Sequence, residues 1–172
     1  MKQHIERLRK LGACSEAIRF AEQYDTQQAA WEACERGDWL LWYAGAVSGE
    51  PASQSRKTLV LAACACARLA LQYVVNGETR PLVAIETAEA WAKGEGGVTL
   101  ADVRNAANAA AYAANAAAYA AYAAYAAANA ANAANAAYAA DASLAAANAD
   151  AAAIVRTYYP SPPETQKHAN VE

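Results

Sequence analysis

No charged residue lies between Asn105 and Ala140, and neither glycine nor proline occurs from Thr99 to Tyr159. With Ala the best helix former and both breakers missing, this part of the chain is expected to be helical. An excess of positive charge is lacking too: 14 Lys and Arg stand against 17 Asp and Glu, for a net charge of -3. A nucleic acid or an anionic membrane requires grouped cations to displace its counterions, so neither is expected as a partner.

Long apolar runs free of charge are also missing. Hydrophobic residues make up 56% of the chain, yet much of that share is Ala and Tyr, and the mean hydropathy is -0.07. The best candidate span, Thr58 to Val75, contains Arg68 and Gln72. A charge near the bilayer centre costs at least about 2.5 kcal/mol, so this stretch reads as a core helix. Residues 1–10 alternate charge with apolar side chains and contain no apolar h-region. A secretory signal is therefore not expected, and a cytoplasmic protein is.

The four cysteines, Cys14, Cys34, Cys64 and Cys66, form no CxxC pair, and the two histidines lie near opposite ends of the chain. Small thiols in a reducing compartment fit that pattern better than a zinc site, and no metal or cofactor is expected. P-loop, GxGxxG, HExxH and GxSxG motifs are all lacking. Glu86 and Glu89 place two carboxylates one turn apart, an arrangement available to acid/base chemistry. Glu89 and Lys93 also make an ordinary i,i+4 surface pair, with no nucleophile nearby. The chain is not expected to be an enzyme.

What is present predicts an all-α protein, a bundle of about seven to eight helices with long Ala-rich C-terminal helices. At 172 residues it fits a single all-helical domain over 1–160, followed by a polar tail at 161–172. Within the domain, helices of residues 1–97 would be packed by Ala/Tyr/Asn-rich helices of 98–159. Gly12 ends a first helix; Ser15 caps a second; Asp25 or Thr26 caps a third that carries Trp31 and Cys34. Gly37-Asp38 reads as a left-handed stop followed by an N-cap, opening a short aromatic helix from Trp39 to about Val47. Ser53 or Ser55 caps a fifth helix that is apolar nearly all round from Leu59 to Val75, as suits the middle of a bundle. Pro81 opens a sixth, with Leu82, Ile85, Ala88 and Ala92 as its inner stripe. After Gly94-Glu95-Gly96-Gly97, Thr99 and Asp102 start the last region.

One helix from Thr99 to Tyr159 would be about 90 Å long, against a radius of gyration of about 16 Å for a domain of this size. A break is therefore expected between Asn129 and Ser143. Up to Asn129 the Asn and Tyr positions keep a heptad and form one stripe; beyond Tyr125 the spacing becomes three and the stripe winds round. Ala faces bury little area per residue, so the packing must be extensive, within the fold or by self-association. The stripe either solubilises the helix or presents Tyr112, Asn115, Tyr119 and Tyr122 to a pocket or partner. A regular Thr row is lacking, so an ice-binding surface is not expected.

Outside the Ala run the densest unusual cluster is Trp31, Arg36, Asp38, Trp39 and Trp42. The indoles either fill the core around a turn or form a recognition patch, since Trp and Arg dominate interface centres.

Three segments taken together resemble the immunity proteins of the Imm5 kind, all-helical proteins found near bacterial polymorphic toxins and in phages. They are Trp31 with Glu35 to Trp42, the run from Arg80-Pro81 through Glu86 to Trp91-Ala92-Lys93-Gly94-Glu95, and the Ala/Tyr helix that follows. The resemblance spans about Gly12 to Pro160 and implies a non-enzymatic, cytoplasmic protein that neutralises a toxin or effector by binding it. Arg80, Glu86 and Trp91 are then candidate binding residues, or else Arg80 and Glu86 serve the fold as a buried ion pair. Two alternatives remain: a phage counter-defence protein holding a nucleotide-like ligand with Arg80, Tyr112, Asn115 and Tyr119, and a self-assembling helical protein that forms a homo-oligomer.

Overall fold

A computed structural model describes residues 2–50, 52–74, 76–109 and 148–164. All regular structure among them is helical, and no strand occurs. In order these are α1 (Gln3–Leu11), α2 (Ser15–Glu22), α3 (Gln27–Ala33), α4 (Gly37–Val47), α5 (Gln54–Arg68), a 3-10 turn at Leu69–Tyr73, and α6 (Arg80–Lys93). Residues 100–109 (α7) and 148–158 (α8) are helical as well. The protein is thus the expected all-α bundle. The long Ala-rich helices and the break expected between Asn129 and Ser143 fall on 110–147, outside the described residues. Among the described residues, no helix is long and apolar enough to cross a membrane.

Several ends follow from local chemistry. Gly12 takes φ 80°, and its N–H donates to Arg9 O while Ala13 N–H donates to Leu8 O. That closes α1 with a left-handed cap that a side chain would strain. The Thr26 hydroxyl accepts the Ala29 N–H at 3.1 Å and caps α3, and Ser53 Oγ accepts the Arg56 N–H at the start of α5. At α7, Thr99 Oγ1 accepts the Asp102 N–H while the Asp102 carboxylate accepts the Thr99 N–H at 2.8 Å. Two orphan donors are satisfied reciprocally, as in a capping box.

Other expectations are corrected. Ser15 lies inside α2 and Cys14 occupies its N-cap without a side-chain bond. Gly37 is not a left-handed stop, because α3 already ends at Ala33 and Gly37 is the first residue of α4. Asp38 sits within the first turn of α4 and is not its N-cap. Nor is α5 engulfed: Ala62 and Cys64 are buried but Ala63 and Ala67 are exposed, and the α-helix yields to a 3-10 turn after Arg68.

The chain divides into two compact units, Met1–Ala62 with Asn148–Glu172, and Ala63–Ala147. In the first, Ile5, Ala21 and Ala30 form a core with Leu8, Ile18 and Tyr24 packed against it. Trp31, Leu40, Tyr43, Ala44 and Val47 are buried too, as are Ala152 and Val155 of α8.

Helix α8 is stitched to the N-terminal helices by specific contacts. The Trp31 indole N–H donates to Tyr159 O at 3.0 Å, and the Tyr159 hydroxyl donates to Ser55 O at 3.2 Å. The Arg156 guanidinium donates to Trp31 O, at 3.2 Å from Nε and 3.1 Å from Nη2, and also to Cys34 O. A fixed cation thereby takes up carbonyls at the C-terminal end of α3, where the helix dipole favours positive charge. A Cβ added at Gly37 would come within 2.5 Å of Ala151 Cβ and 2.7 Å of Ala152 N. Gly37 is there because α4 and α8 leave no room for a side chain.

In the second unit the end of α5 meets α6. The Cys64 thiol donates to Ile85 O at 3.8 Å, and Arg68 grips Glu89 with Nε–Oε1 at 2.9 Å and Nη2–Oε2 at 2.8 Å. Ile85 and Ala92 of the expected inner stripe are buried, while Leu82 and Ala88 are half-buried. Gly94 closes α6 with φ 76°.

Candidate functional site

The aromatic residues of α2 and α4 meet across an apolar groove in the first unit. Trp39 and Trp42 are three residues apart on α4 and so lie on neighbouring positions of one helix side. The groove is lined on α1 and α2 by Leu8, Ala17 and Phe20, and on α4 by Trp39 and Trp42. Phe20 meets Trp39 edge-on, with centroids 5.8 Å apart and planes at 61°, and Tyr24 lies 5.1 Å from Phe20. Such tilted arrangements set the positive edge of one ring against the negative face of the next.

Arg36 fixes the rim. Its Cζ stands 4.5 Å from the centre of the Trp39 ring, and its fork grips Asp38 with Nε–Oδ1 at 2.8 Å and Nη2–Oδ2 at 2.6 Å. The guanidinium holds the Asp38 carboxyl below the usual carboxylate range, and the carboxylate in turn raises Arg36. Stacked on an indole and clamped by a carboxylate, Arg36 has little freedom left to lose. The cavity between these walls is about 70 Å³. Sites for drug-sized ligands are roughly 300–1,000 Å³, so the hollow suits one inserted side chain better than a whole nucleotide.

The structure separates the tryptophans of this cluster. Trp42 is 39% exposed, whereas Trp31 is 5% exposed, lies at the floor of the groove, meets Tyr43 edge-on at 6.0 Å and gives its N–H to Tyr159. Trp31 is a core residue. Trp39, Trp42, Arg36 and Asp38 are brought together as a surface feature.

The remaining predicted residues lie elsewhere. Arg80 and Glu86 do not form a buried pair: Arg80 is exposed and its Nε donates to Glu78 Oε1 at 2.8 Å, its Nη2 to Glu78 Oε2. Glu78 wins because it also accepts the Arg80 backbone N–H at 2.9 Å, a local arrangement that needs no tertiary packing. That pairing pulls the Glu78 carboxyl down to about 2. Glu86 is exposed and Trp91 half-buried on α6. Glu89 is held by Arg68 instead of pairing simply with Lys93, since a planar guanidinium offers two parallel bonds where an ammonium offers a point charge. Arg68 also keeps Glu89 ionised, with its pKa lowered, which makes it a poor proton donor beside Glu86. Tyr112, Asn115, Tyr119 and Tyr122 lie outside the described residues.

The four cysteines are free thiols, with Cys34 and Cys64 buried. Burial pushes Cys64 up to about 11 and raises Cys34 as well, so neither is a ready thiolate. No grouping of His, Cys, Asp and Glu suited to a metal ion occurs among the described residues.

Sequence reasoning missed Arg156 and Tyr159, which hold the floor of the groove in place. One signal was available: Arg156 is the sole Lys or Arg between Arg104 and Lys167. A lone cation in so long an uncharged and acidic stretch invites the question of which carbonyls or carboxylates it serves. No protein-family model, curated protein or solved structure matches the chain.

Proposed function

We propose that the chain is a non-enzymatic binding protein that neutralises a toxin or effector by seating part of it on the groove formed by α1, α2 and α4. This is the role implied by the resemblance to immunity proteins. The observation that carries the reading is the Trp39–Arg36–Asp38 stack beside the exposed Trp42 and an apolar hollow. Large rigid aromatic side chains around a small pocket are the features that concentrate binding energy in protein interfaces. Arg36 is ordered before any partner arrives, so its entropy is not lost again on association. The nucleotide-holding alternative draws no support from Arg80, whose guanidinium is occupied by Glu78.

The test is co-expression with the products of the genes on either side of this one, scored by rescue of growth and by co-purification. Trp42→Ala should lose less than about 1 kcal/mol of stability and weaken binding by about 2 kcal/mol or more, a loss of roughly thirtyfold. If no neighbouring product is captured, and Trp39→Ala alters stability alone, the reading is wrong.

A further inference from the structure

Resting on that reading, we infer that Arg156 of α8 is a positioning residue for the groove: it holds the link between α3 and α4 from which Arg36 rises over Trp39. The link lies outside both helices. α3 ends at Ala33 and α4 begins at Gly37, with Cys34 (φ -75°, ψ 115°) and Arg36 (φ -96°, ψ 92°) extended between them. The last carbonyls of a helix have no intrahelical partner, so donors from elsewhere decide where the departing chain points.

Helix α8 holds this link from both sides. The Arg156 guanidinium donates to Trp31 O before the link and to Cys34 O within it. At the far end Gly37 lies so close to α8 that an added Cβ would stand 2.7 Å from Ala152 N. Inside the link the Cys34 thiol donates to Arg36 O at 3.6 Å. Arg36 therefore springs from a stretch fixed at either end, and its guanidinium stands 4.5 Å from the Trp39 ring centre while it forks Asp38. A planar fork meets a ring and a carboxylate together only within a narrow range of directions.

None of the described lining residues belongs to α8, yet α8 holds both the floor, through Trp31, and the root of the rim, through Cys34. Docking of α8 and binding at the groove then favour one another, by the reciprocity of linked equilibria. The rival account is local. Arg36, Asp38 and Trp39 are near neighbours in sequence, and on that account their stack would survive without α8.

The experiment uses the full-length chain, isotopically labelled, and reads by NMR the exchange of the Arg36 Nε–H with solvent while circular dichroism shows each variant folded. Exchange is expected to be about tenfold faster in Arg156→Ala than in wild type, with Arg156→Lys between the two. Ile5→Val, which trims a core side chain of the same unit away from the link, should leave Arg36 at the wild-type rate. An unchanged rate in Arg156→Ala would show that the stack is local, and equal acceleration in Ile5→Val would show general loosening; either overturns the inference. Arg156→Lys covers the case in which Arg156→Ala does not fold: acceleration supports the positioning role, and the wild-type rate overturns it. No partner enters this measurement, so its failure is distinct from failure of the binding reading, which co-expression decides.

Discussion

Gly37→Ala is expected to destabilise the protein by about 1–3 kcal/mol, although Gly to Ala in a helix ordinarily gains up to about 1 kcal/mol. The new methyl would stand 2.5 Å from Ala151 Cβ, 2.7 Å from Ala152 N and 2.8 Å from Ala151 C. Two of those atoms are backbone, and the third is a Cβ that has no rotamer to change. Relief requires α4 and α8 to separate, which would loosen the contacts of the buried Ala152 and Val155. Gly45, in the same helix, is the internal control: a Cβ there would meet only Leu59 Cδ2 at 3.7 Å, an ordinary contact. Gly45→Ala should therefore stabilise by roughly 0.5–1 kcal/mol. Urea unfolding of the two variants should move the midpoint in opposite directions. A stabilised Gly37→Ala would mean that α8 does not lie against α4.

Arg156→Ala should cost about 2–4 kcal/mol, since charge-assisted hydrogen bonds contribute about 1.5–3 kcal/mol each and this side chain is only half-buried. The loss is a capping loss: Trp31 O and Cys34 O would be left at the end of α3 without the donor that reaches them from α8. Arg156→Lys should recover only part of it, because an ammonium cannot span two carbonyls with the geometry of a fork. Thermal unfolding checks the order wild type, Lys, Ala. Equal midpoints for Arg156→Lys and wild type would show that charge alone, and not the planar fork, is what α3 needs.

Caps and stops written in neighbouring residues were legible in the sequence. Gly12, Thr26, Gly94 and the Thr99–Asp102 box all behave as local side-chain and backbone preferences dictate. Gly37 was misread for an instructive reason. Gly-Asp satisfies the local rule for a stop followed by a cap, but the residue is constrained by Ala151 and Ala152, far along the chain, which no local rule contains. Arg80 shows the opposite error: a tertiary partner, Glu86, was expected where Glu78, two residues away, suffices. The presence of a tryptophan cluster was plain from composition. Which indole is buried was not, because Trp31 is defined by Tyr43 and by a carbonyl of Tyr159, while Trp42 is left half in solvent.

The central claim is that one tryptophan of this cluster holds the fold while another is displayed for a partner. Unfolding free energies of Trp31→Ala and Trp42→Ala, measured side by side, test it most directly. Trp31→Ala should lose about 3–5 kcal/mol, the cost of emptying a packed site and orphaning the Tyr159 carbonyl. Trp42→Ala should lose less than about 1 kcal/mol, as at a surface position. Similar losses at the two positions, or the larger one at Trp42, would contradict the account.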